Sequence, residues 1–362
     1  MKSISIFRLN AILLLLILTT IVLYYGKEFL VPLFFSILFA MLLLPVCRKL
    51  ESWGFSRIWS TLTGILIILL FLGGIVAIIA GQGASLADDL PGMQAKAQEI
   101  LQSAQQWVQR EYSIEPKKQM DYMKKGIDGI SQSGGTFFKD IFSWILGILS
   151  SLVLVLLYFF FIMWKREKYK EFFLKLVKDE NREKVKGELK KISHVSGRYL
   201  IGRLISMAFL AIIYMIGFSI AGLPNALLIA LVAVIPTIVP YIGAFIGGFF
   251  PLALAVISGN PDLILPVALI LIIAQVIDNN IIEPLVEGEA MDISPIFTIV
   301  AIVLGEMVWG IAGMILFIPI FAILKIVCDH IPQLHPYAFL MTNDVEEPKW
   351  INYLKKKFMK KK

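Results

Sequence analysis

Cysteine is nearly missing: Cys47 and Cys328 are the only two in 362 residues, each near the end of an apolar run. Two isolated thiols argue against a disulfide framework and against a thiolate metal cluster. Histidine is almost as sparse, with His194, His330 and His335 scattered. No HExxH, GxSxG or GxxxxGK[ST] string occurs, so a zinc protease, a serine hydrolase and a P-loop site find no support. No nucleophile–base pair is visible either. The residues therefore predict a protein that is not an enzyme, with no cofactor and no resident metal.

What abounds is apolar side chain. The chain is 58% hydrophobic with a mean hydropathy of +0.78, whereas a soluble domain sits near ~45–50%. One water-soluble core could not hide that much apolar surface. The composition predicts an integral membrane protein, and the long apolar runs read below make it all-α. The net charge of +7 gives no reason to expect nucleic acid, because the lysines flank apolar runs, as the positive-inside rule requires.

A spanning helix needs about 20 apolar residues. Four runs qualify in the first half: Phe7 to Tyr25, Phe29 to Val46, Trp59 to Ala80 and Ile141 to Trp164. The first has Lys2 and Arg8 ahead of it and no small-x-small cleavage site before Gly26, so it reads as an uncleaved anchor. The chain divides into a three-helix membrane segment (1–80), an extracytoplasmic insert (81–140), a fourth span (141–164), a basic cytoplasmic linker (165–198), a core with broken helices (199–327) and a basic tail (328–362). In the insert, Met93, Ala97, Ile100, Leu101, Ala104, Trp107 and Val108 recur at helical spacing, as do Met120, Met123, Ile127 and Ile130, which predicts amphipathic helices. Lysine placement puts both termini and the linker inside the cell. The tail "WINYLKKKFMKKK" is expected to rest on anionic lipid.

The core is less regular. Tyr199 to Ala221 reads as an ordinary span, but Asn225 to Ile257 is too long for one and is interrupted by Pro236, Pro240 and Gly243. It is either one bent span or a re-entrant hairpin. Ile296 to Val327 is broken by Gly305, Gly310, Gly313 and Pro319. The two long segments share an order of apolar run, breaker, glycines and proline. Paired interrupted helices of this kind point to a transporter site. Between them lies "AQVIDNNIIEPL", from Ala274 to Leu285. Either it is a plain loop, or it is a polar site at membrane depth.

Four blocks, "VSGRYLIGRL", "GLPNALLIALVAVIPTIVPYIGAFIGG", "AQVIDNNIIEPLVEGEAMDISP" and "GIAGMILFIPIFAILK", together resemble the autoinducer-2 exporter family (AI-2E transporters). The resemblance covers most of the chain and is strongest from Val195 to Lys325. It implies a bacterial inner-membrane protein with seven or eight spanning helices and cytoplasmic termini; the apolar runs themselves suggest about eight. It also implies ATP-independent transport and homo-oligomers. Members are associated with export of autoinducer-2, a quorum-sensing signal, and others resemble Na⁺(Li⁺)/H⁺ antiporters. By position, Pro236, Pro240, Tyr241 and Gly243 match the family's Pro-Tyr-x-Gly region. Gln275, Asn279, Asn280 and Pro284 match its Gln…Asn…Pro region, and Pro295, Gly310, Gly313 and Pro319 the closing glycine-proline region. Two places depart: an extra turn at Thr237 to Val239, and Arg203 where an uncharged polar residue is expected.

Ionisable groups inside membrane segments are costly, at ~2.5–3.5 kcal/mol for Asp or Arg at the centre. Asp278 is the first candidate. If the helix continues, Gln275, Asp278 and Asn279 share one face by i, i+3, i+4 spacing. That face could bind a polyhydroxy solute, or a transient Na⁺ at Asp278. A carboxyl group in low dielectric favours its neutral form, which suits exchange of a proton for solute or cation. The substrate and ion candidates are Gln275, Asp278, Asn279, Asn280 and Glu306. Those for gating are Pro236, Pro240, Tyr241, Gly243, Pro284, Gly305, Gly310, Gly313 and Pro319. Glu287 and Glu289 are expected in water. Glu306 is expected to face a cavity or an interface, and Arg203 and Lys325 to snorkel. A rival of another class is a membrane scaffold that grips an envelope partner through residues 81–140.

Overall fold

The computed structural model describes residues 6–112, 151–258, 260–286 and 293–343. Among these the chain is helical, with no strand. The elements are α1 (Ile6–Tyr25), α2 (Lys27–Ser52), α3 (Arg57–Tyr112), α4 (Ser151–Trp164), α5 (Arg166–Lys175), α6 (Arg182–Ala221), α7 (Ala226–Val234), α8 (Ile242–Ile257), α9 (Ile264–Ile277), α10 (Glu283–Val286), α11 (Pro295–Trp309), α12 (Ile311–His330) and α13 (His335–Met341). Five described helical stretches are long and apolar enough to cross a bilayer: Lys27–Ser52, Arg57–Ile78, Asp179–Ala221, Pro261–Val286 and Ile311–His330. Shorter apolar helices accompany them. The chain is an all-α, multi-pass membrane protein.

Two boundaries differ from the sequence reading. The third span does not stop at Ala80; α3 continues unbroken to Tyr112, 56 residues in all. At 1.5 Å per residue it is about 84 Å long, against ~30 Å of hydrocarbon. The stretch "MQAKAQEILQSAQQWVQREY" is rich in Gln and Ala, which pay little to stay helical. The first part of the insert therefore extends the span. The rest of the insert, with Met120 to Ile130, lies outside the described residues, as do Glu287, Glu289, Asp292 and the tail from 344. Likewise, the basic linker and the span after it are not separate. The single helix α6 runs 40 residues from Arg182 to Ala221.

The chain forms two compact units: Met1–Ile68 with Leu152–Ser206 and Asn280–Lys362, and Leu69–Ser151 with Met207–Asn279. In the first unit, α11 and α12 form an antiparallel hairpin around Gly310, which has φ 62°. The two arms touch backbone to backbone at Gly305 and Gly313. A Cβ on Gly313 would lie 1.9 Å from the Gly305 carbonyl oxygen. Trp309 closes the hairpin tip. Its indole N–H donates to the Leu23 carbonyl at 2.8 Å, and its ring packs on Phe34 and Phe317.

In the second unit, the long segment Asn225 to Ile257 is a helical hairpin rather than one bent span. α7 has 9 residues and α8 has 16, so at 1.5 Å per residue the arms are about 13 and 24 Å long. Both are short of the ~30 Å hydrocarbon thickness. A 3₁₀ turn, Ile235–Ile238, carries Pro236 and ends α7. The Ile242 N–H donates to the Pro240 carbonyl at 2.7 Å, while Tyr241 sits at φ 62°, ψ −62°. That is a γ-turn of the rare, strained hand, costing about 1–3 kcal/mol. Gly243 and Gly247 then let α8 lie on the backbone of α7. A Cβ on either would come within 2.0 Å of the carbonyl of Pro236 or Ala233. The core of this unit gathers Leu210, Tyr214 and Phe218 of α6, Ile229 and Ala233 of α7, Ala255 of α8, and Val267, Leu271 and Ala274 of α9.

Candidate functional site

The polar stretch after Gln275 is not a loop. α9 passes into a π-helical turn, Asp278–Ile282, and then into α10. Pro284 explains the widening. It has no N–H to return to the Asn280 carbonyl, and its ring would press on that carbonyl in an α-helix. A π-turn relieves both problems, and such bulges are frequent at functional sites.

The π-turn sets where each polar group points. Asp278 is 1% exposed and continues the buried line of Val267, Leu271 and Ala274. Tyr214 of α6, 3% exposed, belongs to the same buried core as that line. Asn279 and Asn280 face outward. This corrects the expectation of one shared face: Asp278 turns into the core and Asn279 away from it. Gln275 stands between them. Its amide donates to the Asn279 Oδ1 at 2.8 Å, and its own Oε1 is buried and, among the described residues, accepts no hydrogen bond. The second unit thus holds a carboxyl group, a phenol and an open amide acceptor. That set can hydrogen-bond a hydroxylated solute or give oxygens to a small cation. Tyr214 was missed in the sequence because Tyr199 to Ala221 reads as an ordinary span. A tyrosine on its buried face was the available signal, since a buried phenol needs a partner.

In the first unit, Arg203 does not snorkel. It is 6% exposed, and its Nη1 meets the Glu283 Oε1 at 3.0 Å. Glu283, four residues before Glu287, is thus drawn into an ion pair. Lys325 does not snorkel either; at 7% exposed it lies on the packed side of α12, because that helix buries most of its length. Arg203→Met is expected to lower stability by about 2–3 kcal/mol, since it removes the ion pair with the partly buried Glu283. Arg203→Met with Glu283→Met should recover most of that loss. Thermal unfolding of the purified variants measures both.

Glu306 faces out of its unit, exposed beside Val303, Leu304 and Met307. Gly305, Gly310 and Gly313 set the hairpin geometry rather than chemistry. Pro319 is buried within α12. Tyr241, on the γ-turn, is 54% exposed. At the far end of α12, the His330 Nδ1 lies 2.7 Å from the Ile326 carbonyl and its Nε2 2.8 Å from the Glu188 Oε1, tying α12 to α6.

The described residues thus hold a helical hairpin with a strained tip, a second hairpin closed on glycines, and a buried carboxyl group at a π-turn. A family model described as AI-2E family transporter matches residues 13–333, and the chain belongs to that family. YueF of Bacillus subtilis (strain 168), named as a candidate transport protein, is 28% identical over 324 residues, covering 82% of this chain and 84% of YueF. PerM of Escherichia coli (strain K12), named as a candidate permease, is 27% identical over 331 residues, covering 86% and 90%. Transport across a membrane is the function this membership supports.

Proposed function

We propose that the protein is a secondary transporter that exports a small polar metabolite, such as autoinducer-2, across the bacterial inner membrane in exchange for protons. The supporting observation is Asp278, a carboxyl group buried at the π-turn of a membrane-grade helix. Intramembrane carboxylates mark proton and ion pathways. Gln275 and Tyr214 would hold the solute beside it. A second reading, Na⁺(Li⁺)/H⁺ antiport by the same groups, is favoured by the open Gln275 Oε1, because hard cations take oxygen ligands. The two hairpins would supply the moving parts of alternating access.

Glu306 supports homo-oligomers. A carboxylate on an apolar outer face is costly against lipid and is better satisfied by a neighbouring subunit. The basic tail would bind anionic lipid at the cytoplasmic surface. A scaffold role for residues 81–140 draws on the length of α3 beyond its span. That role predicts that deleting the insert abolishes function while Asp278→Asn has no effect.

The test uses purified protein in liposomes that enclose a pH-sensitive dye under an outward proton gradient, with pulses of Na⁺, Li⁺, K⁺ or autoinducer-2. A response to autoinducer-2 alone supports the first reading. A response to Na⁺ or Li⁺ supports the second, and silence to all leaves the cargo open and favours the scaffold role. Orientation is tested by Ser103→Cys on the exposed side of α3. Membrane-impermeant label should reach it only from outside the cell; labelling only from the cytoplasm would reverse the topology.

A further inference from the structure

α5 follows α4 directly and buries none of its side chains. Its exposed apolar residues are Tyr169, Phe172 and Phe173, continued by Leu176 just past its end, at 47, 56, 49 and 68%. Their i, i+3, i+4, i+7 spacing makes them one stripe. At about 100° per residue, Lys168 and Lys175 fall about 90–110° to one side of that stripe and Lys170 about 110° to the other, with Glu167 and Glu171 near the opposite pole. Among the described residues, nothing covers the stripe.

Two features fix how the helix lies. Trp164 ends α4, and the Lys165 Nζ stands 3.8 Å over its ring, a pairing suited to the bilayer–water boundary. Arg166, the first residue of α5, pairs with Glu51 near the end of α2. The root of α5 is thus held at the end of a span, where headgroups begin. An apolar stripe edged by lysines, with acids facing away, is complementary to an anionic lipid surface. A protein partner would not require lysines on both margins.

We propose that α5 is a membrane-surface helix that inserts its Tyr169–Leu176 stripe into the leaflet at the Trp164 end of α4, with Lys168, Lys170 and Lys175 bound to anionic headgroups. This goes beyond the transport reading and does not depend on cargo.

The test uses full-length protein in vesicles of pure phosphatidylcholine or of phosphatidylcholine with phosphatidylglycerol. An environment-sensitive fluorophore is placed on Phe172→Cys or, as control, on Glu171→Cys; the native Cys47 and Cys328 are buried. With acyl-chain nitroxide lipids, the Phe172→Cys probe should be quenched several-fold more than the Glu171→Cys probe, and more deeply in phosphatidylglycerol. Each Lys→Gln change at the margins should reduce the docked-to-undocked ratio about fivefold in the anionic vesicles. Equal quenching of the two probes would overturn the proposal. So would a Phe172→Cys probe shielded from both water and nitroxide lipid whatever the lipid charge, because then protein covers the stripe.

Discussion

Gly313→Val is expected to leave no monodisperse protein, and even Gly313→Ala to lower stability by about 1–3 kcal/mol. The Cβ of alanine would enter the space of the Gly305 carbonyl, with its oxygen 1.9 Å away. Two backbones cannot yield as a side-chain tip can, so the arms of the hairpin must separate. Separation disturbs Trp309, whose indole holds the tip to α1. Gly74 gives the contrast, because a Cβ there meets nothing within 4 Å. Gly74→Ala should be neutral or stabilising by up to about 1 kcal/mol, the gain of alanine over glycine inside a helix. Size-exclusion profiles and thermal unfolding of the three variants decide the matter.

Asp278→Asn is expected to abolish proton-coupled transport while leaving insertion and folding intact. The amide has nearly the same shape and keeps one oxygen, so the packing beside Val267, Leu271 and Ala274 survives. It cannot release or take up a proton in the working pH range. Gln275→Leu should act differently: it removes the open acceptor and weakens solute binding, and coupling persists at saturating solute. Separating these two losses distinguishes the proton carrier from the solute ligand.

Much of this architecture was legible in the residues. Spans follow from apolar runs, and the places where two long segments break follow from Pro236 and Pro240 in one and Gly305, Gly310 and Gly313 in the other; that each break folds back as a hairpin did not. The polar break was legible as composition but not as geometry. Whether "VIDNNIIEP" forms a loop or a helix turns on how Pro284 is accommodated, and a π-turn leaves no periodic signature over five residues. Its phase decides that Asp278 faces in and Asn279 out. The Arg203–Glu283 pair was hidden for another reason. The partners are 80 residues apart, and a charge near a predicted helix end reads as snorkelling until its partner is seen. The length of α3 was missed because a change from apolar to polar composition marks a membrane boundary, not a helix end.

The measurement that bears most directly on Asp278 as the proton-exchanging group compares wild type and Asp278→Asn in liposomes, following solute exchange and proton movement together. The solute or cation is the one that wild-type protein responds to. For wild type, the dye should report proton flux with each pulse. For Asp278→Asn, labelled solute should still exchange down its own gradient while the dye stays silent. A variant that moves protons and solute as wild type does would show that the coupling group lies elsewhere.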